Sequence, residues 1–450
     1  MMLEREGLDL LPEALSALEA GFADLPPHAP GPLAGPLRKV LLETAQRLQD
    51  NYPYPHPLYA GQMLKPPHPI ARLAYTLALW INPNNHALDG GRASSEMEKE
   101  AVAELAQMFG WSKFLGHLTS GGTMANLEAL WVAGRVHPGK KIVASRQSHY
   151  THQRLTEVLK LPFETVECDR DARMDLRSLE EILRRDEVGT VVVTLGTTAA
   201  GAVDPLPKLI ELQAKYGFRL HADAAYGGYF TLTDNLAAQA KAAFACLTGV
   251  DSIVIDPHKH GMQPYGCGCI IFRDPAVGQY YKHDSPYTYF SSAELHLGEI
   301  SLECSRAGAS AVALWATQRL LPLVRGGEFA AALEQAREAA LNLASRIAGD
   351  SRWMLAFDPE LDIVNWAPRA PTSSQISLLS KEVFAAAADS NLHLALATFP
   401  STMFEQRWSG VEWDTPQVVC LRSCLMRAEH LSWLDFIWQI LTKIADDMVA

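Results

Sequence analysis

The run "GTVVVTLG" at residues 189–196 carries no charge at any position. A strand written as one continuous apolar run is covered on both faces, as strands of a parallel sheet are. The pattern repeats around it. "KKIVAS" (140–145), "LPFETVECD" (161–169), "FRLHAD" (218–223), "DSIVID" (251–256) and "CGCIIFR" (267–273) read as further strands. Between them lie amphipathic helices, among them "LRSLEEILRRD" and "DPLPKLIELQAKYG". The second has proline near its start and glycine just past its end, the usual asymmetry of a helix. Alternation of this kind predicts a mostly parallel, doubly wound α/β sheet.

A chain of 450 residues exceeds one such unit. Residues 1–70 hold an amphipathic helix, the connector "LPPHAPGPLAGP", a second helix and "NYPYPHPLYAGQMLKPPHP". Little of this can close a core, so it reads as an N-terminal arm. Residues 71–320 contain the alternating sheet. Residues 321–450 open with the long helix "GEFAAALEQAREAALNLASRIAG" and mix "LDIVNW" and "VVCLRSCL" with a closing helix, a small C-terminal α/β domain. The net charge of −12 leaves no basic face for nucleic acid or an anionic membrane. No window approaches 18 uncharged apolar residues, so no membrane span is expected. The acidic start "MMLEREGLDLLPEALSALEAGF" lacks the basic region of a secretory signal. Seven cysteines, an odd number lying mostly in apolar runs, fit reduced thiols in a cytoplasmic protein.

In open α/β sheets ligands bind at the carboxyl ends of strands. "TSGGT" (119–123) opens a helix, and unpaired N–H groups there favour an anion such as phosphate. An ordinary capped helix start looks the same. Asp223 ends "FRLHAD" and precedes two alanines, leaving room for a flat ligand against the backbone. A turn-forming acid would also fit. His149, in "SHYTH", is either a stacking ring or a surface histidine. Lys259, in "DPHKHG", follows the apolar run "SIVI". A buried lysine must be paired or lose its proton, and a neutral amine can attack a carbonyl to form an imine. The bland alternative is a stem that snorkels outward. A rival constellation uses the same stretch: Asp256, His258 and His260, with His221 and Asp223, as ligands of a metal-dependent hydrolase. His-x-His on a strand would place both imidazoles on one face. Lysine between them adds positive charge beside a dication, and the C-x-C pair at Cys267 and Cys269 has no second pair, so no metal is expected.

Taken together, a phosphate cradle, a carboxylate, a stacking ring and an imine-forming lysine on one sheet edge are the set that pyridoxal 5'-phosphate requires. In order, "TSGGTMANL", "SHYTH", "TLGTT", "HADAAYGG" and "DPHKHG" resemble the pyridoxal-phosphate-dependent group II amino-acid decarboxylases, over roughly residues 55–430. The resemblance implies an aspartate-aminotransferase-like fold (PLP fold type I) and a homodimer with active sites at its interface. It makes Lys259 the Schiff-base lysine and Asp223 the partner of the pyridine nitrogen. Ala225 would lie on one ring face and His149 on the other. Gly121, Gly122 and Thr123 would hold the phosphate, with His258 nearby and Thr198 near the ring oxygen. "NYPYPHPLYAG" resembles the arm that helps line the substrate pocket, and Arg422, in "CLRSCL", is open to a substrate-carboxylate role.

Which α-carbon bond breaks is not decided by fold and cofactor, so decarboxylation here rests on the resemblance. Larger family members carry a long loop with a tyrosine that protonates the α-carbon. The matching stretch here, "HDSPYTYFSSAELHLGEISLECSRAG", is shorter and offers Tyr287 and Tyr289, between which the sequence does not choose. "ECSRAG" places Arg306 where it would fix this segment. The expected reaction is decarboxylation of an L-amino acid, aromatic on the strength of "YPYPHPLY", with an acidic substrate open. A carbon–carbon lyase and an aromatic aldehyde synthase are the alternatives within this cofactor class.

Overall fold

A computed structural model describes residues 3, 5, 7–26, 28, 31, 35–282 and 301–449. Its larger sheet has seven strands: β1 (Leu115–Thr119), β2 (Lys141–Ser145), β3 (Phe163–Val166), β4 (Val188–Thr194), β5 (Arg219–Asp223), β6 (Ser252–Ile255) and β7 (Gly268–Phe272). Their order across the sheet is β1-β7-β6-β5-β4-β2-β3. The neighbours from β3 to β6 pair in parallel, whereas β7 runs antiparallel to both β6 and β1. The mostly parallel sheet read from the sequence is present, with one reversed strand. Its reversal follows from the connection: residues 256–267 contain no helix to carry the chain back across the sheet. Every residue of β4 is buried, with Val191, Val192 and Val193 fully so, as its uncharged run requires.

Register sets the site. Thr194 of β4 stands beside Asp223 of β5, and Asp223 beside Val254 of β6. Three strand ends therefore finish level, and the segments leaving them share one edge. The second sheet, β10-β11-β9-β8, is wholly antiparallel and comprises β8 (Trp353–Leu355), β9 (Ile363–Pro368), β10 (Ala395–Pro400) and β11 (Gln417–Cys424). Helices Glu328–Gly349, Ser373–Asp389 and Glu429–Val449 pack around it, with Trp366, Leu343 and Leu441 in its core. The N-terminal helices Leu10–Ala20 and Leu37–Leu48 bury none of their residues. Among the described residues no helix is long and apolar enough to cross a membrane.

A buried ion pair holds β1 to the helix after it. His117 Nδ1 faces the Leu118 carbonyl at 2.8 Å and Nε2 faces Glu128 Oε2 at 2.7 Å. Acceptors on both nitrogens require a proton on each, so the imidazole is a cation. Burial pushes His117 down, but the charge and hydrogen bond of Glu128 outweigh it and hold the group above its ordinary value. Tyr281 also donates to the same carboxylate oxygen, at 3.0 Å. A group raised on folding stabilises fully below its unfolded value, about 6.5, and loses that contribution as pH rises through the folded value. Chemical denaturation should therefore show the stability gap between the wild type and Glu128→Gln narrowing from pH 6 to pH 9; a gap constant with pH rejects the pair.

Candidate active site

Four connections converge on the level strand ends. β1 runs into Ser120-Gly121-Gly122, and Gly122 begins the helix Gly122–Val136. A side chain at Gly122 is impossible without rearrangement, since a Cβ would fall 2.6 Å from Asp256 Oδ2. After β2 the chain turns through His149 into the helix Thr151–Leu159. Asp223 closes β5, and the turn 256–261 comes after β6. Together these segments wall a cavity of about 310 Å³. Every residue proposed from the sequence for cofactor contact lies on it: Gly121, Gly122, Thr123, His149, Thr198, Asp223, Ala225, His258 and Lys259.

Asp223 is buried and fully engaged. Its Oδ2 accepts from His152 Nε2 at 2.8 Å, and its Oδ1 accepts from the Ala225 amide at 3.2 Å. Burial alone would raise this carboxyl. The His152 hydrogen bond and charge, with the charges of Lys259 and His221, outweigh it and hold Asp223 well below the usual carboxylate range. At neutral pH it is an anion inside the protein. Lys259 Nζ stands 3.1 Å from Asp256 Oδ2. Asp256 is buried too, and its Oδ1 has no partner. His258 donates through Nδ1 to the Cys267 carbonyl at 2.8 Å, leaving Nε2 3.6 Å from Asp256 Oδ2. Burial lowers both His258 and His149, so each is a neutral ring at neutral pH. Thr198 offers its carbonyl to Arg422 Nη1 at 2.8 Å, which ties β11 to the cavity wall.

The metal-ligand alternative fails on geometry. Residues 256–261 form a turn, not a strand, so the two imidazoles do not share a face. His258 lines the cavity, while His260 is turned into the core against Asp362, Tyr226 and Phe230. Among the described residues no group of three or more His, Cys, Asp or Glu side chains is placed to hold a metal.

His152, which hydrogen-bonds Asp223, was not singled out from the sequence. It lies three positions after His149, in the first turn of the helix that His149 leads into, and that proximity was the available signal. Asn126, Thr151, Thr194 and Tyr226 also line the cavity and were missed. Tyr287 and Tyr289 lie outside the described residues. Arg306 donates to Glu98 (2.6 Å) and to the carbonyls of Leu118 and Asn85 (both 2.8 Å), fastening its own end of the segment to β1; residues 283–300 of that segment lie outside the described residues.

The model of the pyridoxal-dependent decarboxylase conserved domain matches residues 55–367. The chain belongs to the pyridoxal-dependent decarboxylase family. This decarboxylase is 30% identical over 318 residues to the probable L-tyrosine/L-aspartate decarboxylase of Methanothermobacter thermautotrophicus, covering 68% of this chain and 81% of the relative. It is 27% identical to the L-tyrosine decarboxylase of Enterococcus faecium over 451 residues, 76% of this chain and 74% of that one. Its fold matches the crystal structure of Oryza sativa TDC with PLP and tryptamine at a TM-score of 0.79, covering 100% of both chains at 17% identity. Mouse CSAD aligns at 0.78 over 96% of this chain and 92% of that one, at 19% identity. The decarboxylase is thus a PLP-dependent amino-acid carboxy-lyase of PLP fold type I, with pyridoxal 5'-phosphate as cofactor. The residues fit that group: an anion cradle in which a Cβ would not fit, a buried carboxylate and a lysine share one space with buried oxygens that lack partners.

Proposed function

We propose that this cavity is the catalytic centre and that the enzyme decarboxylates an aromatic L-amino acid to its amine. One juxtaposition supports the site: the Lys259 amine, the Asp223 carboxylate and the Gly121-Gly122 turn open onto the same cavity. Lys259 would hold the cofactor covalently. The first amides of the Gly122–Val136 helix, with Gly121 and Thr123, would hold its phosphate, and His258 stands beside them. Asp223 would keep the pyridine nitrogen protonated, with Ala225 and His149 against the ring and Thr198 at its edge. When bound, pyridoxal phosphate supplies an electron sink for the bond broken at the substrate α-carbon. The chain's own tasks are then to orient the carboxylate for departure, exclude water and return a proton to the α-carbon. Lys259 Nζ is one candidate donor; Tyr287 and Tyr289 are the others.

Aromatic preference is supported by the arm. The rings of Tyr52, Tyr54 and Tyr59 cluster with His393, with centroids 4.9 to 6.3 Å apart, and the L-tyrosine names of the relatives point the same way. Arg422 favours a second reading. Its guanidinium donates to the carbonyls of Thr198 and Gly61 (3.4 Å), and among the described residues it has no carboxylate partner. It would suit an acidic substrate. We further infer a cytoplasmic homodimer. The exposed Leu37, Val40, Leu41 and Leu48 of the arm leave an apolar face for a second copy, and all seven cysteines are free thiols. Incubation with tyrosine, dopa, tryptophan, aspartate and glutamate tests the reading. Carbon dioxide and one equivalent of amine are expected, fastest from an aromatic substrate. Aldehyde with peroxide would overturn it in favour of an aldehyde synthase, and cleavage of a β-hydroxy amino acid added to the panel, giving an aldehyde without carbon dioxide, in favour of a lyase.

A further inference from the structure

The two side chains that the chemistry needs, Asp223 and Lys259, sit on separate turns after β5 and β6. Each turn continues into a residue that leads to the same carboxylate. Three positions after Asp223, the Tyr226 hydroxyl donates to Asp362 Oδ1 at 2.6 Å. One position after Lys259, His260 Nε2 stands 3.3 Å from Asp362 Oδ2. The two rings meet edge to face, with centroids 4.7 Å apart. Asp362 immediately precedes β9 of the second sheet, and its own carbonyl accepts from the Leu425 amide at 2.9 Å. Asp362 and His260 are fully buried, and Tyr226 is nearly so while still reaching the cavity wall.

Such a cluster is expensive. No arginine or lysine hydrogen-bonds Asp362 among the described residues, and Oδ2 and both nitrogens of His260 lack a hydrogen-bond partner. The charge of Lys65 acts on Asp362, but its Nζ donates instead to the Met426 carbonyl at 3.3 Å. Burial pushes the Asp362 carboxyl up to about 6 against the opposing pull of Tyr226 and Lys65. An apolar residue there would avoid the desolvation cost. What it could not do is accept from Tyr226 on one turn while standing against His260 on the other.

We propose that Asp362 is a positioning residue for the reaction: it holds the Asp223 turn by the hydrogen bond from Tyr226, and the Lys259 turn by packing of His260 against Tyr226 and its own carboxylate, so that the two turns keep a fixed separation. It touches neither substrate nor cofactor. Its effect is on where the Asp223 carboxylate and the Lys259 amine stand relative to each other across the cavity. The inference rests on the catalytic roles given to Lys259 and Asp223, and the experiment separates the two.

The measurement uses the holoenzyme. In the wild type, borohydride reduction and then peptide mapping should place the cofactor on Lys259; failure here defeats the catalytic reading rather than the role of Asp362. In Asp362→Ala the cofactor should still be reducible onto Lys259. Its visible circular-dichroism band, which reports ring orientation, should fall by about half or more. kcat should drop about 10- to 100-fold while KM stays within about threefold, the pattern of lost alignment rather than lost binding. Asp362→Asn should recover most of the band and the rate, because an amide oxygen still accepts from Tyr226. Should Asp362→Ala not fold, Tyr226→Phe removes only the phenol oxygen and should move the band and kcat in the same direction. An unchanged visible band and kcat in the alanine variant, or in Tyr226→Phe where the alanine variant is lost, overturns the proposal, even if thermal stability falls.

Discussion

Replacing Lys259 with alanine will leave pyridoxal phosphate bound but no longer attached, and turnover will fall by about a thousandfold or more. The expectation comes from the groups that the cavity retains. The glycine turn, Asp223, His149 and Ala225 still surround the space, so affinity from the phosphate and the ring persists. What is lost is the only lysine on the cavity wall among the described residues, and with it both the covalent anchor and one candidate proton donor. Borohydride should fix label in the wild type and none in the variant, and dialysis should strip cofactor from the variant alone. Turnover within tenfold of wild type would defeat the role given to Lys259.

Asp223→Asn is expected to cost about 100- to 1000-fold in kcat, the range seen when one preorganised electrostatic contact is removed. The surroundings of Asp223 hold it as an anion, and His152 fixes its orientation at 2.8 Å. Asparagine preserves the shape and can still meet His152, but it carries no charge to keep a pyridine nitrogen protonated. The loss should therefore appear in kcat more than in cofactor retention, and a cofactor analogue whose ring nitrogen carries a permanent charge should restore part of the rate. If the variant turns over at the wild-type rate, the carboxylate is not the partner of the ring.

Much of this arrangement was legible because it is local. Strand β4 declares itself through Val191, Val192 and Val193, Asp223 ends β5 and Lys259 comes shortly after the apolar run of β6, so the sheet edge carrying them could be read directly. The reversal of β7 was less visible, since β-branched content does not encode direction. Residues 256–261 were misjudged in part: the alternation His258-Lys259-His260 was compatible with a strand, yet a tight turn sends the imidazoles apart. The contacts that escaped join distant segments. His152 reaches Asp223 across 71 positions and Tyr226 reaches Asp362 across 136. Periodicity along the chain does not mark such pairs: the first depends on how β2 and β5 are ordered in the large sheet, the second on how the second sheet meets the first. The prolines and tyrosines of residues 1–70 suggested an arm with little core of its own; they did not show that Leu58 and Ala60 join the core of the second sheet, nor the bridge between Tyr59 and His393 beside β10.

The level finish of β4, β5 and β6 also limits how this chain can change length. Side chains along a strand alternate between faces, so one residue inserted within β6 would turn the downstream half of that strand over and move the turn that carries Lys259 out of register with Asp223. The same insertion in the exposed turn at Gly410 would displace no strand residue. Tolerance to insertion and deletion should therefore be graded by distance from three strand ends, and variation among descendants of this sequence should gather in such exposed turns.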